Sequence, residues 1–341
     1  MWLKNCWYVA AFTRELGASL LARTILGQPL VMFRTSEGRP VALEDRCPHR
    51  SVPLSMGRLV GDTVRCTYHG LRLDADGKCV RIPCQDQIPA AARVRSFPLH
   101  ERHGCVWIWF GDAAASDPDL IPDVHWLDDP QWAACTGYTH AQANYQLFND
   151  NLLDLSHESY LHEGTIGNEA VAEAPVQTSV AGSQVKVYRE IQNCEPPPFY
   201  VQATGFTTRI NRWHTTTFTP PSYCLIENGS YPVDRTRAEA LERKVIHLIT
   251  PETSTSSHYF WGVARAYRTD DTELTEFIRE QTAKTFAEDE VMLERQQQVL
   301  GEAGGSAFPV ALKTDAGPIQ ARRVLARLIE LERTGESAAR S

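Results

Sequence analysis

Four potential metal ligands fall in two short stretches of the chain. Cys47-Pro48-His49 is followed, after sixteen residues, by Cys66-Thr67-Tyr68-His69. Two soft thiolates and two borderline imidazoles suit either a tetrahedral zinc site or a two-iron, two-sulfide cluster. Pro48, Pro53, Gly57, Gly61 and Gly70 place the ligands on tight loops, whereas a zinc finger sets its His pair on a helix. Each stretch supplies one Cys and one His. That mixing is required of a cluster in which one iron takes both thiolates and the other both imidazoles. Such a cluster needs its His pair near the surface, where electrons arrive and leave, and a dry backing for its sulfides.

A second group of chemically useful residues lies between Asn144 and His162. The stretch has the density of a helix, with Leu147, Phe148, Leu152 and Leu155 as its apolar set. Asn151, Asp154 and His157 recur every three residues and share one flank. His162 falls about 140° from His157 on an unbroken helix. The two imidazoles reach one metal only if the helix bends or ends near Ser159. The alternative is two unrelated His, one capping and one facing solvent. An electron-transfer domain upstream needs an acceptor, which favours a shared metal. Far downstream, Asp270 to Leu300 reads as a long helix capped by Asp271 or Thr272, with Leu274, Ile278, Phe286 and Leu293 as its buried stripe. Asp289 lies within about 20° of that stripe. A carboxylate there is costly unless it is paired, bound to metal or at a helix end. Glu288 and Glu290 read as ordinary surface residues.

The elements that position these groups separate into two blocks. Up to about residue 115 the chain reads as short strands joined by hairpin turns, Ser36–Arg39, Asp74–Gly77 and His103-Gly104 among them. Residues 116–130 carry five Asp with Gly111 to Pro130 as the wider polar run, and read as a linker. From 131 to 341 come further strands, with Val185–Arg189, Arg212–Phe218, Tyr223–Ile226, Val245–Ile249 and Ser257–Ala264 the clearest. Gly229–Arg237, reaching back to Asn228, reads as a mobile loop. Gly301 to Gly305 ends the long helix, and Pro318 opens a short terminal one whose Arg322, Arg323 and Arg327 read as a solvated face. A sheet wrapped around a long helix makes a pocket. Arg209, Arg212, His214, Asn228, His247 and His258 lie in the region that lines it.

Bulk properties narrow the class. The chain of 341 residues allows two domains, each with its own core. No run of eighteen apolar residues points to a membrane span, and Met1–Ala10 lacks signal-peptide character. A net charge of −8 argues against a nucleic-acid footprint. Nine Cys at irregular spacing do not form a disulfide framework. Most of those outside the two stretches read as buried small apolar fillers, while Cys79 and Cys84 flank a strand end and could mimic a further ligand pair. A cytoplasmic location fits.

Cys47-Pro48-His49-Arg50 with Cys66-Thr67-Tyr68-His69-Gly70 resembles the signature of Rieske non-haem iron oxygenases. Asn5-Cys6-Trp7-Tyr8-Val9-Ala10 and Trp107-Ile108-Trp109 are similar to the branch that holds the oxygenase components of vanillate O-demethylase, dicamba O-demethylase and toluenesulfonate methyl-monooxygenase. The resemblance runs over nearly the whole chain. It implies an α+β architecture: an all-β Rieske [2Fe-2S] domain over 1–115, then a helix-grip-like catalytic domain over 131–341 in which an antiparallel sheet holds a long helix.

The resemblance also implies the site. Cys47, His49, Cys66 and His69 would hold the cluster. Asn151–His157 with His162 matches the mononuclear iron motif, and Asp289 its distant carboxylate, giving the two-His, one-carboxylate set of non-haem Fe(II) oxygenases. Asp154 would accept hydrogen bonds from His69 of a neighbouring chain and from His157, and Asn151 would tune the iron. A homotrimer follows, since one chain alone is expected to hold its cluster too far from its iron. Electrons would come from NADH through a separate flavin/iron-sulfur reductase, alone or with a ferredoxin, because no dinucleotide fingerprint is present. The expected substrates are O2 and a small aromatic acid contacted by Asn228, His247, Arg212 and His214.

The implied reaction is O-demethylation of a methoxybenzoate-like acid, releasing formaldehyde. Glu195–Phe199, Phe218–Ser222 and Leu293–Gln298 are similar to vanillate demethylase. His247 instead matches a substrate-contacting His of dicamba demethylase, where vanillate demethylase has an acid. Hydroxylation of an arylsulfonate methyl group or of another aromatic ring is the alternative. A Rieske-type electron carrier is the alternative of a different class, and the Asn144–His162 motif argues against it.

Overall fold

In the computed structural model, which describes residues 1–301 and 308–335, the chain divides into two units. One contains residues 2–122 with 250–253, and the other 123–249 with the described residues from 254 on and Met1. The division follows Pro122, inside the stretch read as a linker. That stretch is packed, not extended: Ile121 and Val124 are buried, and short 3-10 turns form at Pro118–Leu120 and His125–Leu127.

The first unit is built from short antiparallel strands: β1 (Trp7–Phe12), β2 (Leu21–Ile25), β3 (Gln28–Arg34), β4 (Pro40–Glu44), β5 (Arg58–Val60), β6 (Thr63–Arg65), β7 (Arg72–Leu73), β8 (Cys79–Arg81), β9 (Ser96–Phe97), β10 (Leu99–Arg102) and β11 (Cys105–Trp109). They form three sheets, ordered β1-β11-β10, β2-β3-β4-β9 and β5-β6-β7-β8. Alternation along β3 explains its continuous apolar run. Leu30 and Met32 enter one core with Tyr8, Val106 and Ile108. Val31 and Phe33 point the other way, into a core that contains Cys47, Cys66 and Leu54. The hairpin at Asp74–Gly77 needs its glycine: φ is +78°, and a Cβ would sit 2.4 Å from the Val94 carbonyl oxygen.

The second unit is organised on a seven-stranded antiparallel sheet. Its strands are β12 (Ala133–Ala141), β13 (Val176–Ala181), β14 (Gln184–Cys194), β15 (Ile210–Thr219), β16 (Tyr223–Pro232), β17 (Leu241–Pro251) and β18 (Ser257–Arg265), in the order β12-β18-β17-β16-β15-β14-β13. Helices α1 (Tyr145–Leu153), α2 (Glu158–Leu161), α3 (Glu169–Glu173), α4 (Pro198–Thr204), α5 (Thr272–Leu300) and α6 (Ala316–Thr334) complete it. Asp271 caps α5 through the Leu274 N–H at 2.8 Å. Leu274 and Ile278 then pack with Cys135, Ile191, Ile210 and Val263 of the sheet. Each such aliphatic side chain contributes about 1.5–3 kcal/mol of burial.

Several local expectations are corrected. The helix after Asn144 ends at Leu153 instead of near Ser159, because Asp154 turns extended and its side chain takes the Ser156 N–H at 2.8 Å. The segment from Asn228 is not a loop at its start, since β16 runs to Pro232. Gly229 permits this: a Cβ there would lie 2.3 Å from the Trp213 ring. Arg322 does not face solvent freely but pairs with Asp150 at 2.6 Å. Gly301 terminates α5, and residues 302–305 of the expected break lie outside the described residues.

Candidate active site

Cys47 and Cys66 are buried, whereas His49 and His69 are exposed. Each sulfur starts a tight turn: Ser51 N–H bonds back to Cys47 O at 2.9 Å, and Gly70 N–H to Cys66 O at 3.1 Å. The two imidazoles approach to 4.5 Å between ring centres, tilted by 66°. Burial pushes the Cys47 thiol up, with the backbone N–H groups of His49 and Arg50 acting against it. Thiols on the dry side and imidazoles on the wet side fit an iron–sulfur cluster that exchanges electrons at the surface.

The break after α1 builds the second centre. His157 starts α2 and His162 ends it, so a single helical turn brings both rings to face α5. His162 Nε2 lies 3.2 Å and His157 Nε2 3.5 Å from the same atom, Asp289 Oδ1. One ligand atom from each residue fits within a 4.8 Å sphere of mutual distances. The far ring nitrogens are already used. His157 Nδ1 bonds to the Asp154 carbonyl, and His162 Nδ1 lies 2.8 Å from Glu288 Oε2. With Nδ1–H donating, each Nε2 lone pair points at the common site, as a metal requires. Asn151 Nδ2 donates to Asp289 Oδ1 at 2.9 Å. Asp154 differs from expectation. Its backbone carbonyl, not its carboxylate, holds His157, and its Oδ1 is taken by the Ser156 N–H and hydroxyl. Asp154 Oδ2 takes no hydrogen bond among the described residues.

A cavity of about 790 Å³, counting its open mouth, adjoins His157, His162 and Asp289. Leu152, Leu155, Ile226, Val245, Val263 and Phe286 supply apolar wall. Glu158, Arg212 and His214 also line the cavity and belong to a buried charge group. Glu158 sits 2.7 Å from Arg189, 2.9 Å from His214 Nδ1 and 4.0 Å from Arg212. Burial alone would push the Glu158 carboxyl up, but His214 and the two guanidinium groups outweigh it and hold it well below the usual carboxylate range. Burial keeps His214 neutral, with Nδ1–H donating to Glu158 and Nε2 accepting from Thr216 Oγ1 at 3.1 Å.

The cavity collects Arg212, His214, Asn228 and His247 but treats them differently. Arg212 donates to Ile166 O at 3.0 Å and stacks 4.3 Å over Tyr200. Both nitrogens of His214 are occupied within the protein, so it braces Glu158 and has no donor left for a substrate. Asn228 Oδ1 and His247 Nε2 are buried without partners. Burial pushes the His247 imidazole down to about 3. The Tyr259 hydroxyl, kept protonated by burial, lies 2.6 Å from His247 Nδ1. Donation from Tyr259 leaves the His247 proton on Nε2, facing the cavity.

Arg209 and His258 do not line the cavity. Arg209 is exposed and paired with Glu195 at 2.5 Å, and His258 Nδ1 lies 2.9 Å from the Tyr138 hydroxyl. Three contributors escaped the sequence reading. Glu288 supports His162 instead of facing solvent. Arg189 occupies an inward position of β14 in line with Val185 and Val187, an alternation that could have flagged it. Glu158 adjoins His157 in sequence and is taken up by Arg189 and His214. No helix among the described residues is long and apolar enough to cross a membrane.

This combination of an iron–sulfur domain with a mononuclear site of two His and one carboxylate, set beside an apolar cavity, defines a Rieske-type oxygenase component. Comparison with known proteins agrees. Residues 6–98 match the Rieske [2Fe-2S] domain, and residues 141–331 match the vanillate O-demethylase oxygenase C-terminal domain. The chain is 41% identical to the vanillate O-demethylase oxygenase subunit of Pseudomonas sp. (strain ATCC 19151), covering 92% of this chain and 98% of that one. It is 39% identical to the iron-sulfur subunit of the toluene-4-sulfonate monooxygenase system of Comamonas testosteroni, covering 98% and 99%.

Its fold superimposes on dicamba monooxygenase bound to 3,6-dichlorosalicylic acid with a TM-score of 0.91 at 35% identity, covering 97% of this chain and 99% of that one. A structure of the same enzyme with non-heme iron and dicamba gives 0.84 at 33% identity, covering 98% and 99%. The chain belongs to the vanillate O-demethylase branch of the Rieske non-haem iron oxygenases. Its cofactors are one [2Fe-2S] cluster and one mononuclear non-haem iron, and a reductase partner is implied by the multi-component systems of its relatives.

Proposed function

We propose that the chain is the oxygenase component of an aromatic O-demethylase acting on a methoxylated, vanillate-like acid. One atom of O2 enters a methyl C–H bond. The other leaves as water with two electrons and two protons, and the resulting hemiacetal collapses to a phenol and formaldehyde. When bound, the mononuclear iron supplies dioxygen activation and the cluster supplies electrons. The observation that carries this reading is the pair of unpartnered polar atoms, Asn228 Oδ1 and His247 Nε2, in an apolar cavity beside the His157, His162 and Asp289 ligand atoms.

In this reading His157, His162 and Asp289 hold the iron, and Cys47, His49, Cys66 and His69 the cluster. Asn151 orients Asp289. Asn228 and His247 orient the substrate through its oxygen substituents, while the apolar wall keeps water from the reacting methyl. Asp154 is the electron bridge. Its Oδ2 remains for the His69 imidazole of the partner subunit in a homotrimer, and its carbonyl fixes His157. Electrons start from NADH on a cytoplasmic flavin/iron-sulfur reductase, directly or through a ferredoxin. Residues 1–115 serve as the electron-transfer domain and 131–341 as the catalytic one. The likeness to the toluene-4-sulfonate system supports a second reading, oxidation of an arylsulfonate methyl group by the same site.

The test is anaerobically purified protein with NADH and a compatible reductase, offered vanillate, other methoxybenzoates, 4-toluenesulfonate and unmethylated benzoates. Formaldehyde equal to oxygen consumed supports O-demethylation. A hydroxylated ring product with no formaldehyde from any methoxylated acid overturns it.

A further inference from the structure

Four arginines are buried among the described residues of the second unit: Arg189, Arg212, Arg243 and Arg265. Three are anchored by hydrogen bonds from their guanidinium ends, although Nε of each is buried without a partner. Arg189 holds Glu158 and two carbonyls, Arg212 the Ile166 carbonyl, and Arg265 the Thr275 hydroxyl with two further carbonyls. Arg243 is the exception. It is 4% exposed and lines the cavity, yet makes no side-chain hydrogen bond or ion pair among the described residues. Its guanidinium is held by aromatic faces alone, 4.4 Å from the Phe199 ring centre and 4.9 Å from that of Tyr200. A guanidinium stays charged at any working pH, and burying it without an acceptor is unfavourable. Stacking fixes the plane of its N–H fork and leaves the edge to a ligand.

Register adds a second donor. Arg243 on β17 lies directly opposite Asn228 on β16, so their side chains rise together from one face of the sheet. Asn228 also makes no side-chain hydrogen bond among the described residues, and its amide can present NH2 to an anion. Charge points the same way. Glu158 is the one carboxylate in the group formed with Arg189 and Arg212, so Arg243 has no share of it. Two and four residues along the strand, Val245 and His247 share the face and line the same cavity. The run from Arg243 to His247 spans about 13 Å of strand, enough for an aromatic acid to lie along it.

We propose that Arg243, with Asn228 beside it, forms the anion subsite of the cavity and binds the carboxylate or sulfonate of the substrate through its guanidinium fork. The ring then rests over Ile226 and Val245, and the uncharged oxygen substituents reach His247. This assignment rests on the reading of the protein as an oxygenase of aromatic acids and makes Arg243 its specificity residue for charge.

Holoenzyme with both metal centres loaded is titrated calorimetrically, without reductase, with vanillate, 4-toluenesulfonate and the uncharged methyl ester of vanillate. Arg243→Gln should raise the Kd of both anions about 100-fold while changing that of the ester less than about 3-fold, and Arg243→Lys should fall between. Should Arg243→Gln fail to fold, the acid-to-ester ratio of Arg243→Lys carries the test, and a ratio equal to wild type overturns the subsite. An unchanged ratio in Arg243→Gln overturns it as well. In a separate turnover assay with NADH and reductase, formaldehyde from vanillate together with an unchanged ratio refutes the subsite and leaves the reaction standing. Arg243-dependent anion binding without formaldehyde or oxygenated product supports the subsite and refutes the reaction.

Discussion

Glu288 Oε2 lies 2.8 Å from His162 Nδ1 and so sets which nitrogen of that ring faces Asp289. A carboxylate behind a ligand imidazole orients it and raises its basicity. Glu288→Ala should therefore weaken iron retention at the mononuclear site by about 10–100-fold. Iron released to a chelator over time, with the visible spectrum of the cluster unchanged, measures this. Retention equal to wild type would mean that the contact is incidental.

Asn151 acts on Asp289, the carboxylate of the proposed iron site. Its Nδ2 donates to Asp289 Oδ1, the atom both imidazoles approach. Replacing it with Ala removes one hydrogen bond to a charged acceptor, worth about 1.5–3 kcal/mol. Asn151→Ala is expected to lower kcat with little effect on KM for the aromatic acid, because Asn151 positions a ligand and not the substrate. A KM effect alone would reassign it to substrate binding.

Glu158 carries the structural load of its region. Removing its carboxylate leaves Arg189 and Arg212 buried without a counter-charge, a loss of about 3–5 kcal/mol by the usual cost of breaking a buried pair. Glu158→Ala should lower the urea midpoint of the catalytic unit, followed by tryptophan fluorescence. An unchanged midpoint would show that water or backbone carbonyls replace the carboxylate fully.

His247 confers a pH dependence of known sign. Burial pushes its imidazole down to about 3, below the ordinary value near 6.5. Between these limits the unfolded chain binds a proton that the folded chain refuses. Stability is therefore full above about pH 6.5 and falls as pH falls toward 3, roughly 2–3 kcal/mol being lost by pH 4.5. The urea midpoint of wild type should drop more than that of His247→Gln between pH 7.5 and 4.5. Parallel drops would mean that His247 is solvated in the folded protein.

How much could be read before the fold was known depended on sequence distance. The cluster ligands stand in two compact turns, and the His157/His162 pair within one helical turn, so their types and spacing carry the information. Asp289 was visible because a carboxylate on a buried helix stripe is anomalous. Glu288, its neighbour, was not, because helix angle places it off the stripe while the ring that needs it comes from another helix. Arg243 and Asn228 became a pair only through the register of β16 on β17, which no local pattern encodes. The break at Asp154 was misplaced for a related reason: a side chain capping its own backbone two residues on ends a helix that apolar periodicity would continue.

The most direct test counts iron and follows product together in wild type and Asp289→Ala. The account predicts about three irons per chain in wild type and about two in the variant. Visible absorbance of the cluster should be the same in both, with oxygenated product from the best acid of the panel in wild type alone. Equal iron content in the two proteins, or product from Asp289→Ala, would contradict a metal centre formed by His157, His162 and Asp289.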